Sequence, residues 1–188
     1  MTDLRSRLVS MVIAGVALGC ASQSRAAMTV FGGGAAEDCY KSVKAGLSDI
    51  GAIAVCDSAL QDEAMDNRDR GGTYVNRGVL KMRRGALAEA HADFDAGVKL
   101  APLAGEAWIN RGAVLLAEKR YTESLADINK GIQLGVKELE KAYFNRALVY
   151  EGMDDEKSAY ADYQQALVIK PDWEAPKKEL LRFTVTRR

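Results

Sequence analysis

A nearly identical phrase occurs three times along this chain: TYVNRGVL, AWINRGAVL and AYFNRALVY, beginning at residues 73, 107 and 142. The asparagines of the three phrases, Asn76, Asn110 and Asn145, follow one another at nearly equal intervals, and an aspartate follows each of them at the same offset. A fixed period of about 34 residues is typical of an array in which each unit buries its apolar face against its neighbours. The chain is therefore predicted to be a stack of repeated units.

The spacing of side chains inside one unit predicts two helices. Two stripes at helical spacing recur, Tyr74, Arg77, Gly78 and Lys81 on the first and Ala90, Phe94, Gly97 and Val98 on the second. Because Gly78, Ala90 and Gly97 have little side chain, the two helices can approach closely while Phe94 fills the space beside them. A larger residue at Ala90 is expected to overpack this contact, at a cost of about 1 to 3 kcal/mol.

The order of large and small residues resembles the tetratricopeptide repeat, which places an aromatic, a small residue, an aromatic, Ala, an aromatic and Pro in sequence. The matching positions are Tyr74, Gly78, Ala90, Phe94 and Pro102, then Trp108, Gly112, Leu115, Ser124 and Ile128, then Tyr143, Ala147, Tyr150, Ala159, Tyr163 and Pro171. The middle copy has Val136 in place of Pro and one extra residue. Residues 73–106, 107–141 and 142–174 therefore resemble three tandem tetratricopeptide repeats.

This resemblance implies an all-α solenoid of antiparallel helix pairs, a superhelix whose concave side binds a protein or peptide partner. The expected helical domain spans 36–188. Residues 36–66 form a degenerate first hairpin, in which Cys39 and Cys56 take the places of Arg77 and Phe94. Residues 175–188 are predicted to be a capping helix and tail, because terminal repeats need a cover for their exposed face.

The N-terminus has the features of an export signal. A basic start with Arg5 and Arg7 precedes an uncharged apolar run that extends over 8–21. This run is shorter than the about 20 apolar residues that a membrane-spanning helix needs, so residues 1–26 are predicted to be a signal peptide cleaved after Ala26. Residues 27–35, which contain the glycine run FGGG, are predicted to be a flexible linker, and the protein is expected in a bacterial periplasm.

A second interpretation of this segment involves Cys20. The sequence VALGC is similar to a bacterial lipobox, although Ala17 stands where Leu is most usual. Lipidation of Cys20 would anchor the protein to the envelope, so contact with a membrane is expected only in that case. Both interpretations predict export.

The resemblance places Cys39 and Cys56 on the two helices of the degenerate hairpin, facing one another. In an exported protein this placement predicts a disulfide, and two buried free thiols are the alternative. Closing a loop of about 17 residues is expected to stabilise the fold by roughly 3 kcal/mol.

An arginine lies on the inward stripe of each repeat, where the family pattern favours Leu. A buried guanidinium needs an acceptor, and an aspartate recurs at a fixed offset on the paired helix. We therefore predict structural ion pairs between Arg77 and Asp93, Arg111 and Asp127, and Arg146 and Asp162.

The asparagines lie one step around the same helices, on the face that lines the concave groove in this family. An Asn amide can both donate to and accept from a peptide backbone. The predicted partner-binding groove consists of Asn76, Val79, Met82, Ile109, Asn110, Leu116, Lys141, Phe144 and Asn145. Two alternatives stay open: the asparagines bond to a neighbouring helix or to water, or the apolar residues pack against Met28 to Phe31 or the C-terminal helix.

One subclass of the family clamps a partner's C-terminal carboxylate with Lys and Asn side chains from successive repeats. Asn110 and Lys141 match two of these positions, but Val75 and Val79 stand where the first repeat should supply Lys and Asn. A carboxylate clamp is therefore not predicted.

Charge and motifs narrow the class of function. The chain has 26 basic and 26 acidic residues, which argues against a nucleic-acid partner. No catalytic group, metal site or cofactor is predicted: the single histidine, His91, is expected on an exposed helix face, FGGG lacks the rest of a phosphate loop, and RDRGG at 68–72 is expected to be a polar connection. We expect a non-enzymatic exported scaffold for protein–protein interaction; the alternative is a lipid-anchored or self-associating envelope protein without a peptide groove.

Overall fold

The computed structural model describes Met28, residues 34–62 and residues 64–183. These residues form nine helices and no strand: α1 (Ala35–Lys44), α2 (Ile50–Leu60), α3 (Asn67–Arg83), α4 (Leu87–Leu100), α5 (Gly105–Ala117), α6 (Tyr121–Leu134), α7 (Leu139–Gly152), α8 (Glu156–Ile169) and α9 (Glu174–Leu180). The predicted signal peptide with Cys20 and Ala26, most of the predicted linker and residues 184–188 lie outside the described part of the chain.

The helices are arranged as a stack of antiparallel pairs. Within the described residues, α1 pairs with α2, α3 with α4, α5 with α6, and α7 with α8, and each pair packs on the next. The first helices of neighbouring pairs also contact one another, and α9 packs on α8. This is the all-α solenoid that the repeated pattern predicts. None of the helices in residues 34–62 and 64–183 is both long and apolar enough to cross a membrane.

The alternation of small and large residues holds each pair together. A Cβ atom added at Gly78 would lie 2.6 Å from the ring of Phe94, and one added at Gly112 would lie 2.6 Å from Cγ1 of Ile128. Such distances are far below van der Waals contact, so these two positions admit only glycine without a shift of the neighbouring helix. The predicted close approach of the two helices is therefore present.

The beginning of α3 differs from the sequence prediction. RDRGG at 68–72 is not a connection but part of the first turns of this helix, which begins at Asn67. Asp66 caps it by accepting a hydrogen bond of 2.8 Å from the backbone N–H of Asp69. Gly71 packs against Ala101, where an added Cβ would lie 3.0 Å from the alanine Cβ. Capping and burial thus offset the cost of glycine in a helix, about 1 kcal/mol per residue.

The first hairpin is covalently linked. A disulfide joins Cys39 on α1 to Cys56 on α2, with Cα atoms 4.8 Å apart, and both residues are fully buried. This confirms the predicted pairing. Because the hairpin has Tyr40 where the repeat has a small residue, the disulfide supplies a connection that the helix packing provides in the other pairs.

The C-terminal helix covers one side of the last pair. The ring of Trp173, just before α9, lies 5.0 Å from that of Phe144, and the ring of Phe183 lies 5.7 Å from that of Tyr160. Leu181 does not take part, since it is 87% exposed. The predicted capping segment therefore contributes Phe183 together with Ala175 and Leu180, and Trp173 just before it adds a further ring.

Candidate functional site

The three asparagines of the repeated phrase lie at equivalent places on α3, α5 and α7. Asn76 and Asn110 are 0% exposed and Asn145 is 4% exposed. A buried primary amide requires partners for its two N–H groups and its oxygen. What these amides bind therefore indicates what this row of side chains can recognise.

Asn76 binds a peptide backbone. Its Nδ2 donates to the carbonyl oxygen of Met28 at 2.9 Å, and its Oδ1 accepts from the backbone N–H of Met28 at 3.0 Å. Met28 is 48 residues away in sequence and only 6% exposed. The pair shows that an asparagine of this row holds both backbone groups of a single residue.

The other two asparagines have different environments. Nδ2 of Asn110 donates to the carbonyl oxygen of Glu106, one turn earlier in its own helix, at 2.8 Å. Nδ2 of Asn145 is buried without a hydrogen-bond partner among the described residues. Asn76 thus contacts a backbone segment of the same chain, whereas Nδ2 of Asn110 bonds within its own helix and not, as the alternative expected, to a neighbouring one.

The apolar residues of the predicted groove are buried inside the chain. Val79 and Met82 belong to one core cluster with Met28, Cys39 and Val43. Ile109, Leu116 and Phe144 belong to a second cluster, with Tyr163 and Trp173. The expectation that these residues line an open groove is corrected by this burial: the chain's own Met28 and its C-terminal segment pack where a partner was expected.

Lys141 is the one predicted groove residue that keeps partial contact with solvent. Its side chain is 19% exposed and its Nζ forms an ion pair with Glu138, one turn earlier. A lysine that is already paired adds little net charge to the surface.

An open cavity of about 590 Å³ adjoins Met28. Its walls come from the α4–α5 connection, from the end of α6 and from the first turn of α3: Leu100, Ala101, Pro102, Leu103, Ala104, Gly105 and Glu106, then Gly135 and Lys137, and Arg68. Leu103 is 81% exposed. This cavity is not predictable from the sequence, because most of its residues lie in connections and at helix ends that the repeat pattern does not specify.

The arginines and aspartates of the repeat form a second row. Arg77 donates two parallel hydrogen bonds to Asp93, from Nε at 2.9 Å and from Nη2 at 2.6 Å, and a third from Nη1 to Asp57 at 2.7 Å. The bonds equivalent to the first two join Arg111 to Asp127 at 2.6 and 2.9 Å, and Arg146 to Asp162 at 2.7 and 2.9 Å. The structure thus brings together all three pairs that the sequence singles out.

The third hydrogen bond of each arginine connects neighbouring helix pairs. Nη1 of Arg111 donates to Asp95 at 3.0 Å, and Nη1 of Arg146 donates to Asn129 at 2.8 Å. These acceptors were not predicted, although Asp57, Asp95 and Asn129 recur at intervals close to the period of the repeat. Each arginine therefore links the two helices of its own repeat to the preceding helix pair.

An aromatic ring covers each guanidinium. The Cζ atoms of Arg77, Arg111 and Arg146 lie 5.3, 4.9 and 5.2 Å from the ring centroids of Tyr74, Trp108 and Tyr143. Burial alone would lower the pKa of Arg77, but its hydrogen bonds and charge attraction to Asp93 and Asp57 outweigh it and raise that pKa. The pKa of Arg111 is raised chiefly by its hydrogen bonds to Asp127. Each guanidinium of this row is thus charged and is held in place by hydrogen bonds to its aspartate and by the ring beside it.

His91 is not on an exposed face, contrary to the sequence prediction. Its Nδ1 lies 3.0 Å from Glu118 in the turn after α5, and its side chain is only 16% exposed. Arg120 binds the same Glu118 at 3.1 Å. The packing of α4 against the next repeat covers the ring. No group of three or more His, Cys, Asp or Glu side chains in the described residues is placed to hold a metal ion.

Comparisons with known proteins show a repeat of known type and a known fold. A family model for the tetratricopeptide repeat matches residues 140–172. The TPR domain of Arabidopsis OM64 superposes with a TM-score of 0.59 at 23% identity, covering 62% of this chain and 95% of that one. MamA from Desulfovibrio magneticus RS-1 (residues 41 to its end) superposes with a TM-score of 0.63 at 22% identity, covering 79% of this chain and 82% of that one.

Identities this low establish the fold and nothing about partners. A search of curated protein sequences gave no match. The sequence match nevertheless covers the third predicted repeat almost completely, and the similar structures extend over the other helix pairs. Residues 140–172 therefore match the tetratricopeptide repeat in sequence, and the described helix pairs have the fold of tetratricopeptide-repeat proteins.

Proposed function

We propose that this protein is an exported, non-enzymatic scaffold that binds another protein through the concave side of its repeat stack. The observation that carries the proposal is the amide of Asn76, which bonds to both backbone groups of Met28. Backbone recognition by side-chain amides is suited to a peptide ligand, because it does not depend on the ligand's sequence. The formal net charge of zero argues against nucleic acid as the partner.

The surface beside Met28 supports a protein partner. The cavity of about 590 Å³ is walled largely by apolar residues of the α4–α5 connection, and Leu103 projects from it with 81% of its surface exposed. A large apolar side chain beside a concave surface is typical of a site that another protein covers. Apart from Arg68, Glu106 and Lys137, the lining side chains are apolar, so the interaction would derive mainly from apolar burial.

Export is part of the proposal. The basic start and the uncharged apolar run over 8–21 favour a signal peptide over residues 1–26. The disulfide between Cys39 and Cys56 supports this interpretation, because such bonds persist mainly in oxidising compartments such as the periplasm. N-terminal sequencing of the purified protein tests it: Ala27 as the first residue is expected, and an intact Met1 would contradict export.

Site-specific photocrosslinking in the native cells tests the scaffold function. The photoreactive residue p-benzoylphenylalanine replaces Leu103 beside the cavity, or Val168, which is 72% exposed near the end of α8. A discrete adduct with another protein is expected for position 103 and not for position 168. No adduct at 103, or the same adducts at both positions, would contradict a partner at this surface.

A lipid-anchored or self-associating envelope protein is the second candidate. The burial of the predicted groove residues favours it, since it needs no open peptide groove. Metabolic labelling with a radioactive fatty acid separates the two: incorporation that disappears in Cys20→Ser would establish the anchor. An adduct at Leu103 formed with a second copy of this chain would establish self-association.

A further inference from the structure

We infer that the place occupied by Met28 is the docking site for an extended, uncharged apolar segment of the partner protein, and that Met28 is a resident ligand which this segment displaces. We call this place the Met28 site: the Asn76 amide, the buried cluster around Met28, and the adjoining cavity. The inference rests on the proposed scaffold function. Beyond that function, it specifies the conformation and the chemistry of the bound segment, and it identifies Met28 as a competitor within the same chain.

The hydrogen bonds specify an extended backbone. Asn76 binds the N–H and the C=O of the same residue, at 3.0 and 2.9 Å. These two groups of one residue point to the same side in an extended strand, as in the bonded pairs of an antiparallel sheet, whereas in a helix they point in opposite directions along the axis. The site therefore selects an extended segment and excludes a helical one.

The surroundings of the side chain specify an apolar residue. Met28 is 6% exposed and lies in one cluster with Val79 and Met82. A charged side chain placed among these apolar residues would lose hydration, which costs free energy. Methionine is long and flexible, so it fills an irregular apolar space that a similar unbranched side chain of a partner can also fill.

The cavity beside Met28 provides room for more of the segment. Met28 forms one wall of the 590 Å³ space, and the α4–α5 connection with Leu103 forms another. Because Leu103 is 81% exposed while Met28 is buried, the chain fills only part of this apolar surface. A partner segment that replaces Met28 and continues into the cavity would cover Leu103, and this extra burial favours the partner over the resident ligand.

The covalent connection makes Met28 an effective competitor. Only residues 29–33 separate it from Gly34, where α1 is about to begin. A short tether gives an intramolecular ligand an effective concentration in about the millimolar range. The apparent affinity for a free peptide is the intrinsic affinity multiplied by the fraction of molecules in which the site is empty. A substitution that weakens Met28 docking should therefore increase affinity for an external peptide.

Fluorescence anisotropy on the whole purified protein tests this inference. The probe is a fluorescein-labelled peptide AAMTVFG, which reproduces residues 26–32, and the matched control peptide is AADTVFG. Met28→Asp in the protein is expected to bind the AAMTVFG probe at least about 10-fold more tightly than the unsubstituted protein, and to bind AADTVFG no better.

A second substitution shows whether the increase depends on Asn76. In the Met28→Asp background, Asn76→Ala is expected to weaken probe binding at least about 10-fold, because both backbone bonds are lost. Asn76→Asp, which keeps the acceptor and loses the donor, should give intermediate binding. Circular dichroism melting identifies a variant that does not fold. If Asn76→Ala does not fold, the comparison uses Asn76→Asp instead.

The results overturn the inference if Met28→Asp binds the probe no more tightly than the unsubstituted protein, or if removal of the Asn76 amide leaves binding unchanged. An adduct at Leu103 combined with such a result would leave the scaffold function in place and remove only the displacement of Met28. Failure of both experiments would remove the proposed function as well.

Discussion

Arg77 on α3 and Asp93 on α4 form a two-point ion pair, with Nε to Oδ2 at 2.9 Å and Nη2 to Oδ1 at 2.6 Å. The side chain of Asp93 is 5% exposed and that of Arg77 is 18% exposed. Lys81 binds the same carboxylate at 2.9 Å. The equivalent pair recurs in the next two repeats. These charges therefore connect the two helices of each of the three predicted repeats.

Removing one partner of such a pair should cost more than replacing both. Asp127→Ala leaves the guanidinium of Arg111 without its main acceptor, and is expected to destabilise the protein by about 2 to 4 kcal/mol. Arg111→Met combined with Asp127→Leu is expected to cost less than Asp127→Ala alone, because no uncompensated charge remains. Urea denaturation of the variants measures this. A double variant less stable than Asp127→Ala would contradict the pairing argument.

The disulfide of the first hairpin should contribute measurably to stability. Substitution of both Cys39 and Cys56 by Ser is expected to lower the free energy of unfolding by about 3 kcal/mol in the chain-entropy model. Calorimetry of the unsubstituted protein with and without reductant should show a matching decrease in Tm. The double Ser variant is the control, since its Tm should not respond to the reductant. Two free thiols in the untreated protein would show that the bond does not form.

The turns between the two helices of each repeat store backbone strain. The equivalent turn residue is Gly85, with φ 80°, in the first repeat, but Lys119, with φ 61°, in the second and Asp154, with φ 60°, in the third. This left-handed conformation costs a residue with a side chain about 1 to 2 kcal/mol. Lys119→Gly and Asp154→Gly are each expected to stabilise the protein by about 0.5 to 1 kcal/mol after the entropy of glycine is counted.

Thermal melting of these turn variants provides the measurement. Gly85→Lys is the reciprocal control and should destabilise the protein, although nothing lies within 4 Å of a Cβ at this position. The loss would therefore come from the backbone alone. Equal melting temperatures for Lys119→Gly and the unsubstituted protein would show that the turn carries no strain.

The start of α8 should respond to pH. Asp155 caps this helix by accepting from the backbone N–H of Ser158 at 3.1 Å. Hydrogen bonds to Ser158 lower the pKa of Asp155 in the folded protein. Because the folded pKa lies below the unfolded one, this stabilisation is complete above the unfolded pKa, about 3.9, and is lost as the pH falls through the folded pKa.

Asp155→Ala is therefore expected to lower the Tm at pH 7 and to make progressively less difference as the pH falls below about 4. Asp155→Asn keeps the capping oxygen without the charge, so its Tm should lie above that of Asp155→Ala by a margin that changes little with pH. Melting curves between pH 2 and pH 7 distinguish the two. If the difference in Tm between Asp155→Ala and the unsubstituted protein did not change with pH, the charge of Asp155 would not contribute to the cap.

Packing rules within a repeat made most of the architecture predictable. Gly78 opposite Phe94, and Arg77 opposite Asp93, are relationships between two helices of one hairpin, and they recur at a nearly constant offset. A stack of helix pairs repeats the same contacts, so three copies in one sequence identify them. When the same offsets are applied to the first hairpin, they predict that Cys39 lies beside Cys56, as the structure shows.

Connections and caps were less predictable. The start of α3 at Asn67 depends on Asp66 as a cap and on the packing of Gly71 against Ala101, a residue of the next connection. Two adjacent glycines in a polar segment favour a turn when only the sequence is considered. Tertiary contacts outweighed that local preference, and His91 likewise became covered by a turn that follows it by 27 residues.

The sequence by itself determined the repeat period, the helix pairs and the partners of the arginines, because these depend on offsets that recur along the chain. Only the tertiary structure decided what the asparagine row contacts. Asn76 meets Met28 across 48 residues, outside any period, and the burial of Asn110 and Asn145 depends on how neighbouring helices close over them. A repeated pattern encodes contacts between adjacent units, whereas the docking of a non-repeated segment depends on the shape and free surface of the assembled stack.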